Sequence, residues 1–401
     1  MDDLTKRVAR QIIDRVGGPG QPPDYGFQYF SAGLDPYLGV IENEYLCDFI
    51  REGGSSFKMV VGPYGGGKTH LLYSVRELAW KNNYVTSYIE LRQNSTPLHK
   101  LELVYASIVQ RVAVPQPPEE ILTGQSHGIE SLLRSALQVQ RDCLREAGVP
   151  AADIDGEIRA WIEGFSRLDS VSFQKAIRAA FAALLEDRED EFETICQWLR
   201  GEGYVRSVHG RYGILQKIDK STAFSMLRSL LQVVRDLGYE GLVVLMDEAE
   251  QGASLNSKQR ETLLSNLREL IDEVGRSDFK HTMLFYAVPD ENFLQGRGQV
   301  YQALVQRLST TFDRINPTGV KIMLDDVWAD PIPTLAEIGQ KLAHIYDVGH
   351  DCKLDAQNVT GCAGQLAEEA YEQRFGDVGY RLLFVQNMVS ALSRMARGDQ
   401  P

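Results

Sequence analysis

The chain has 401 residues, 43% of them hydrophobic and 24% charged, and a net charge of −13. That is ordinary globular composition, with enough polypeptide for two or three packed units. The acidity argues against unspecific attraction to nucleic acid but admits a local basic patch, and no apolar stretch approaches the roughly 20 residues that span a bilayer. Residues 1–15 mix acids and bases without an apolar run, so a secretory leader is not expected and a cytoplasmic protein is. Leu4, Val8, Ile12, Ile13 and Val16 recur at helical spacing and predict a short amphipathic helix over 3–16. Gly17-Gly-Pro-Gly-Gln-Pro-Pro23 breaks it into a linker. Residues 37–51 read as helical again, turning Tyr45, Leu46 and Ile50 toward a core.

Strands are expected at 57–62 and, in the β-favouring run Tyr-Val-Thr-Ser-Tyr-Ile-Glu, at 84–90. A helix over 98–112 follows Pro97 and ends at the Pro-rich stretch Val114–Glu119. Residues 116–215 are too many for a loop and read as a helical insertion with its own small core. Leu132, Leu133, Leu137 and Val139 mark one helix there; Ile158, Trp161 and Ile162 mark another; Phe173, Ile177, Phe181 and Leu184 mark a third. The acidic run Glu186–Glu193 reads as a solvated helix face. The basic, aromatic segment Tyr204–Tyr212 reads as a solvated turn or as a β-hairpin touching DNA phosphates. Then come a helix at 221–237, a strand at 242–246, a helix at 258–274, a strand at 282–288, a helix at 298–311 and a short strand at 320–324. Residues 334–396 look wholly helical, as a lid would. The expected units are 1–36 (helix and linker), 37–115 and 216–330 (two parts of one core), 116–215 (insertion) and 331–401 (lid). The scattered cysteines form no C-x-x-C pair, so buried thiols are expected rather than zinc or disulfides.

The chemistry concentrates at Gly62-Pro63-Tyr64-Gly65-Gly66-Gly67-Lys68-Thr69, which fits G-x-x-x-x-G-K-[ST] between a predicted strand and a predicted helix. Glycines let successive N–H groups turn inward on phosphate oxygens, and a helix start adds partial positive charge. Lys68 would reach the β- and γ-phosphates, and the Thr69 hydroxyl would bind Mg²⁺. An ordinary glycine-rich turn is the competing reading. Leu242–Met246 reads as a buried parallel strand, with Asp247 and Glu248 at the end where open α/β sheets hold ligands. Asp247 would help hold Mg²⁺ and Glu248 would accept the proton of an attacking water. An acidic helix cap is the alternative, and Glu250 is a weaker candidate.

Asp290 and Asn292 end the strand at 282–288, where a polar group would orient that water; turn chemistry explains Pro-Asp-Glu-Asn as well. Arg307, with Arg314 as its rival, follows this strand at a place from which ring-forming ATPases reach a neighbour's γ-phosphate; a salt-bridged surface arginine is the alternative. Arg381 would fold over the phosphates from the C-terminal helices, unless it is a helix-surface arginine.

Taken together, Gly62–Thr69, Asp247-Glu248, the Arg307 segment and the Gly376-Asp377…Arg381 helix resemble an AAA+ ATPase. The stretches Phe57–Arg92 and Gly238–Leu324 resemble more narrowly the ATP-binding proteins of bacterial BREX phage-defence systems. Gly-Pro-Tyr-Gly-Gly-Gly-Lys-Thr-His70-Leu and Leu-Met-Asp-Glu-Ala-Glu250 carry that likeness. The resemblance implies an α/β fold: a P-loop parallel-sheet core with a helical insertion and a C-terminal helical lid. It implies ATP and Mg²⁺, with contacts from residues 62–69, His70, Asp290 and Arg381. It also implies an accessory ATPase that associates with itself or with partner proteins of a defence operon, and with DNA among its further partners. A nucleotide-gated scaffold with little hydrolysis is the alternative.

Overall fold

The computed structural model describes residues 4–18, 23, 25–92, 96–117, 120–121, 124, 126–247, 255–276, 278–290, 299–313, 316–327, 330–374 and 379–398. Strands β1 (Ser55–Val61), β2 (Val85–Glu90), β3 (Val112–Ala113), β4 (Leu242–Asp247), β5 (Thr282–Val288) and β6 (Lys321–Met323) form one six-stranded sheet in the order β3-β2-β4-β5-β1-β6. Every neighbouring pair is parallel except β2 with β3. β1, β4 and β5 are buried along their whole length, which is why β4 and β5 read as almost unbroken apolar runs, while β1 buries Ser55, Ser56 and Lys58 among its apolar residues.

The alternation of side chains sorts the sheet into two layers. Val60, Val243, Leu245, Met283 and Phe285 face α2 (Lys68–Lys81) and the helical segment 35–49. That segment starts as α-helix and passes into π-helix over Ile41–Phe49, burying Ile41, Tyr45 and Leu46. Lys58 sits on this face too, with its ammonium bonded to Tyr45 Oη at 2.7 Å and to Gly319 O at 2.7 Å. Burial pulls Lys58 down to about 7.

Met59, Val61, Val244, Met246 and Leu284 face the other layer, which is much thicker. It holds α3 (Leu101–Arg111), α4 (Ile129–Glu146), α5 (Ile154–Glu163), α6 (Val171–Leu185), α7 (Glu189–Leu199), α8 (Ala223–Asp236), α9 (Ser257–Gly275) and α10 (Gln299–Arg307). Residues 116–215 therefore do not enclose a separate core. Their apolar side chains are continuous with those lining the sheet. Tyr105 on α3 donates to Leu199 O at 2.7 Å, and Ser170 N donates to Ser229 Oγ at 2.8 Å, tying α7 and the start of α6 to the inner helices.

The acidic run begins just after α6, and its Glu189–Glu193 part lies on the outer face of α7, held by pairs such as Arg188–Glu191 at 2.7 Å, while Phe192, Ile195 and Trp198 are buried behind it. The hairpin reading of Tyr204–Tyr212 is corrected. Arg206–His209 is one helical turn, followed by a 3₁₀ turn over Gly210–Tyr212. The cause is local: the His209 ring accepts from Val205 N at 2.9 Å, closing the chain at helical spacing.

The C-terminal helices α11 (Pro331–His350), α12 (Ala356–Glu372) and α13 (Tyr380–Arg397) build a further core with the N-terminal helix α1 (Lys6–Gly17). Val8, Ile12 and Ile13 pack there with Leu342, Phe384 and Met388. Thr5 caps α1 and Asp355 caps α12 through their side chains. All five thiols are unpaired; Cys196 is buried, whereas Cys47 and Cys143 are exposed, contrary to the expectation of buried thiols throughout.

Candidate functional site

The phosphate loop leaves β1 at Gly62, whose amide donates to Val288 O on β5 at 3.1 Å. The loop thus starts at a fixed height on the C-terminal edge of the parallel strands, the edge that holds ligands in open α/β sheets. Gly65 and Gly67 have φ of 70° and 93°, a region that strains residues with a Cβ. Gly67 precedes α2 directly, so the loop runs into the positive end of that helix. Lys68 opens α2 and is almost buried; its ammonium crosses the loop to Gly62 O at 2.9 Å and Pro63 O at 3.0 Å.

Asp247 ends β4 on the face that carries Leu245, toward α2. It is 1% exposed. Thr69 Oγ1 donates to Asp247 Oδ2 at 2.6 Å, and Tyr88 Oη on β2 donates to the same oxygen at 2.8 Å. Burial, reinforced by the Asp247 charge, pushes the Tyr88 phenol far above its usual range. Thr69 and Asp247 are hard oxygen donors already in contact. That set suits Mg²⁺, which takes one or two protein oxygens beside phosphate and water. Among the described residues, no three His, Cys, Asp or Glu side chains form a metal cage of their own.

β5 lies between β1 and β4, so the exposed Asp290 beyond its tip stands between the loop strand and the Asp247 strand. Glu248 and Asn292, together with Glu250 and Arg314, lie outside the described residues.

The C-terminal helices reach the loop directly. Arg381, near the start of α13, donates to Gly66 O at 2.6 Å and to Leu324 O at 2.6 Å. Gly379 is in such close contact that a Cβ there would lie 2.3 Å from Tyr64 O. A second contact runs through His70, whose Nε2 is 2.5 Å from Ser31 Oγ, while Lys341 on α11 donates to Ser31 O at 2.7 Å. Phe27 and Phe30 pack against the His70 ring. Burial, with the Arg381 charge adding to it, lowers His70 to about 4 and keeps it neutral.

Arg307 is not brought to the loop by its own chain. Its guanidinium grips Asp272 on α9, with Nε at 2.5 Å from Oδ1 and Nη2 at 3.3 Å from Oδ2.

A family model described as the BREX system ATP-binding protein BrxC/D matches residues 4–400. The chain belongs to that family. No curated protein and no solved structure matches it. In this BREX-family protein the match spans the sheet, the helices of 116–215 and the C-terminal helices together, well beyond the stretches whose motifs carried the likeness. Among its described residues, no helix is long and apolar enough to cross a membrane. Sequence reasoning missed Tyr88, Ser31 and Lys341. Alternation along 84–90 puts Tyr88 on one face with Glu90, but no local signal says which strand lies beside them.

Proposed function

We propose that the protein binds ATP with Mg²⁺ in the loop 62–69 and hydrolyses it, as an AAA+-type accessory motor or switch in phage defence. The contact of Thr69 with Asp247 is the observation that supports this most. It joins the phosphate loop to the acid-bearing strand. Lys68 exchanges its loop carbonyls for phosphate oxygens, and Thr69 and Asp247 would hold the metal. Bound Mg²⁺ neutralises charge that builds on the transferring phosphoryl group. Glu248 takes a proton from the attacking water, Asp290 orients that water, and Arg381 carries the lid's response to the nucleotide. Pro63, Tyr64 and His70 complete the cradle. Residues 37–115 and 216–330 are the core in this reading, 116–215 the insertion, 331–401 the lid and 1–36 the leading segment.

The test is phosphate release together with ATP binding by purified protein. Glu248→Gln is expected to bind ATP and stop turnover; Lys68→Ala is expected to lose binding. Undiminished hydrolysis by Glu248→Gln refutes the assigned base.

Arg307 favours a second reading, a nucleotide-gated scaffold with little hydrolysis, because its charge is already spent on Asp272. As a finger it would have to leave that pair for a neighbouring copy. Solution mass with and without ATP separates the two readings: ATP-driven self-association that Arg307→Ala leaves intact but catalytically dead supports the finger. Partner proteins of the defence operon are expected in either case. DNA is a further proposed partner, through the exposed Arg206 and Arg211, and salt-titrated duplex binding tests it.

A further inference from the structure

Tyr88 is the donor at this site that no motif singles out. Its register partner on β4 is Leu245, two residues before Asp247, so Tyr88 and Asp247 share the sheet face beneath α2. Its ring is also braced from above: Tyr73 on α2 lies 5.0 Å away between centroids. The phenol and the Thr69 hydroxyl donate to one and the same Asp247 oxygen, at 2.8 and 2.6 Å.

A carboxylate that receives one hydrogen bond still turns about its last torsion. A second donor on the same oxygen, from a ring clamped between a strand and a helix, removes that freedom. Thr69 is itself a proposed metal ligand, so its hydroxyl must satisfy a cation and a carboxylate together. Tyr88 does not share that duty. We infer that Tyr88 is a positioning residue for the magnesium–triphosphate complex, holding Asp247 in the one orientation that serves the cation. Mg²⁺ demands near-octahedral geometry, and outer partners of metal ligands typically contribute about 10–100-fold to metal affinity. The inference rests on the ATP–Mg²⁺ reading of the site.

Tyr88→Phe removes the hydroxyl and keeps the ring. Binding of a fluorescent ATP analogue is followed as Mg²⁺ is titrated, so the readout is binding rather than turnover. The Mg²⁺ concentration at half-saturation should rise about tenfold or more in the variant. Binding in excess EDTA should match the wild type, while melting falls only by what one lost hydrogen bond to a buried carboxylate costs. A purely structural role would weaken binding in EDTA as much as in Mg²⁺, and that pattern overturns the inference, as does an unchanged Mg²⁺ midpoint. Wild-type protein that binds no nucleotide in any Mg²⁺ concentration overturns the site reading first and this inference with it.

Discussion

Replacing Arg381 by alanine tests whether the C-terminal helices are bolted to the phosphate loop. Arg381 is 8% exposed, and its guanidinium donates to two main-chain carbonyls, Gly66 O and Leu324 O, each at 2.6 Å. A hydrogen bond from a charged donor contributes about 1.5–3 kcal/mol net, and the desolvation of the cation offsets part of the pair. Loss of both bonds should therefore favour the undocked lid by about 3 kcal/mol, or roughly a hundredfold in the local opening equilibrium. Hydrogen exchange of α2 and of the first turns of α13 reads that equilibrium directly, because local opening has its own free energy. Arg381→Lys keeps a charge but not the planar fork and should recover less than half of the protection. Wild-type exchange in Arg381→Ala would show that the apolar lid core alone holds the helices in place, and the reasoning would fail.

The other expectations are simpler. Gly379→Ala puts a methyl 2.3 Å from Tyr64 O and 2.7 Å from Gly65 C, at a φ of −57° that alanine otherwise tolerates. The clash is purely steric, so nucleotide affinity should fall sharply, whereas Gly361→Ala on α12, with nothing within 4 Å, should stabilise by up to about 1 kcal/mol. Equal melting curves and equal affinities for the two variants would contradict this. His70 is held neutral down to about pH 4 against an ordinary 6.5, so the unfolded chain takes up its proton first. Its contribution to stability is whole above pH 6.5 and is lost as pH falls toward 4; for this partly exposed ring about 2 kcal/mol is at stake. Urea midpoints of wild type and His70→Gln at pH 7 and pH 4.5 should converge on acidification, and parallel losses would remove His70 from the account. Trp198 is 1% exposed and donates to Gln216 O at 3.0 Å, so Trp198→Ala should cost about 3–5 kcal/mol. One shared unfolding transition is expected, because α7 and the sheet bury the same core; a separate early transition would argue otherwise.

Much of the fold was legible because its strands are simple. β4 and β5 are covered on both faces, so each appears as a run of apolar residues closed by an acid or a proline turn. Strand order was not legible, since a crossover helix carries no address for the strand it leads to. β3 is two residues long and offers no pattern to read. The helix α7 was half-seen: Glu189 to Glu193 advertised the wet face, while Phe192, Ile195 and Trp198 carry the dry one. Tyr204–Tyr212 misled because basic residues between two tyrosines suit a phosphate-touching hairpin as well as a turn. One histidine ring bonded four residues back favours the helical turn. The separate core expected for 116–215 failed for a related reason. Helical periodicity shows that a face is apolar, never what it packs on.

The site divides along the same line. Residues 62–69 could be read in one glance because their chemistry is contiguous, whereas the groups that discipline them come from β2, α11 and α13. Those distant groups also say something about the nucleotide step. Among the described residues, Lys68 and Arg381 both reach main-chain carbonyls of the loop: Lys68 holds Gly62 O and Pro63 O, and Arg381 holds Gly66 O. A carbonyl is a neutral acceptor, and a phosphate oxygen is a charged one that makes bonds roughly twice as strong. On the proposed reading, an incoming triphosphate draws both cations away from these carbonyls, and Arg381 also from Asp325, whose carboxylate lies 4.0 Å from its guanidinium. Lys68 moves within its own loop, but Arg381 moves with the start of α13, so occupancy of the loop reaches the lid through that side chain, beside the packing of Gly379 on Tyr64. A nucleotide-bound form in which Arg381 still donates to Gly66 O would break that link and leave the packing of Gly379 on Tyr64 and the His70, Ser31 and Lys341 contacts to join loop and lid.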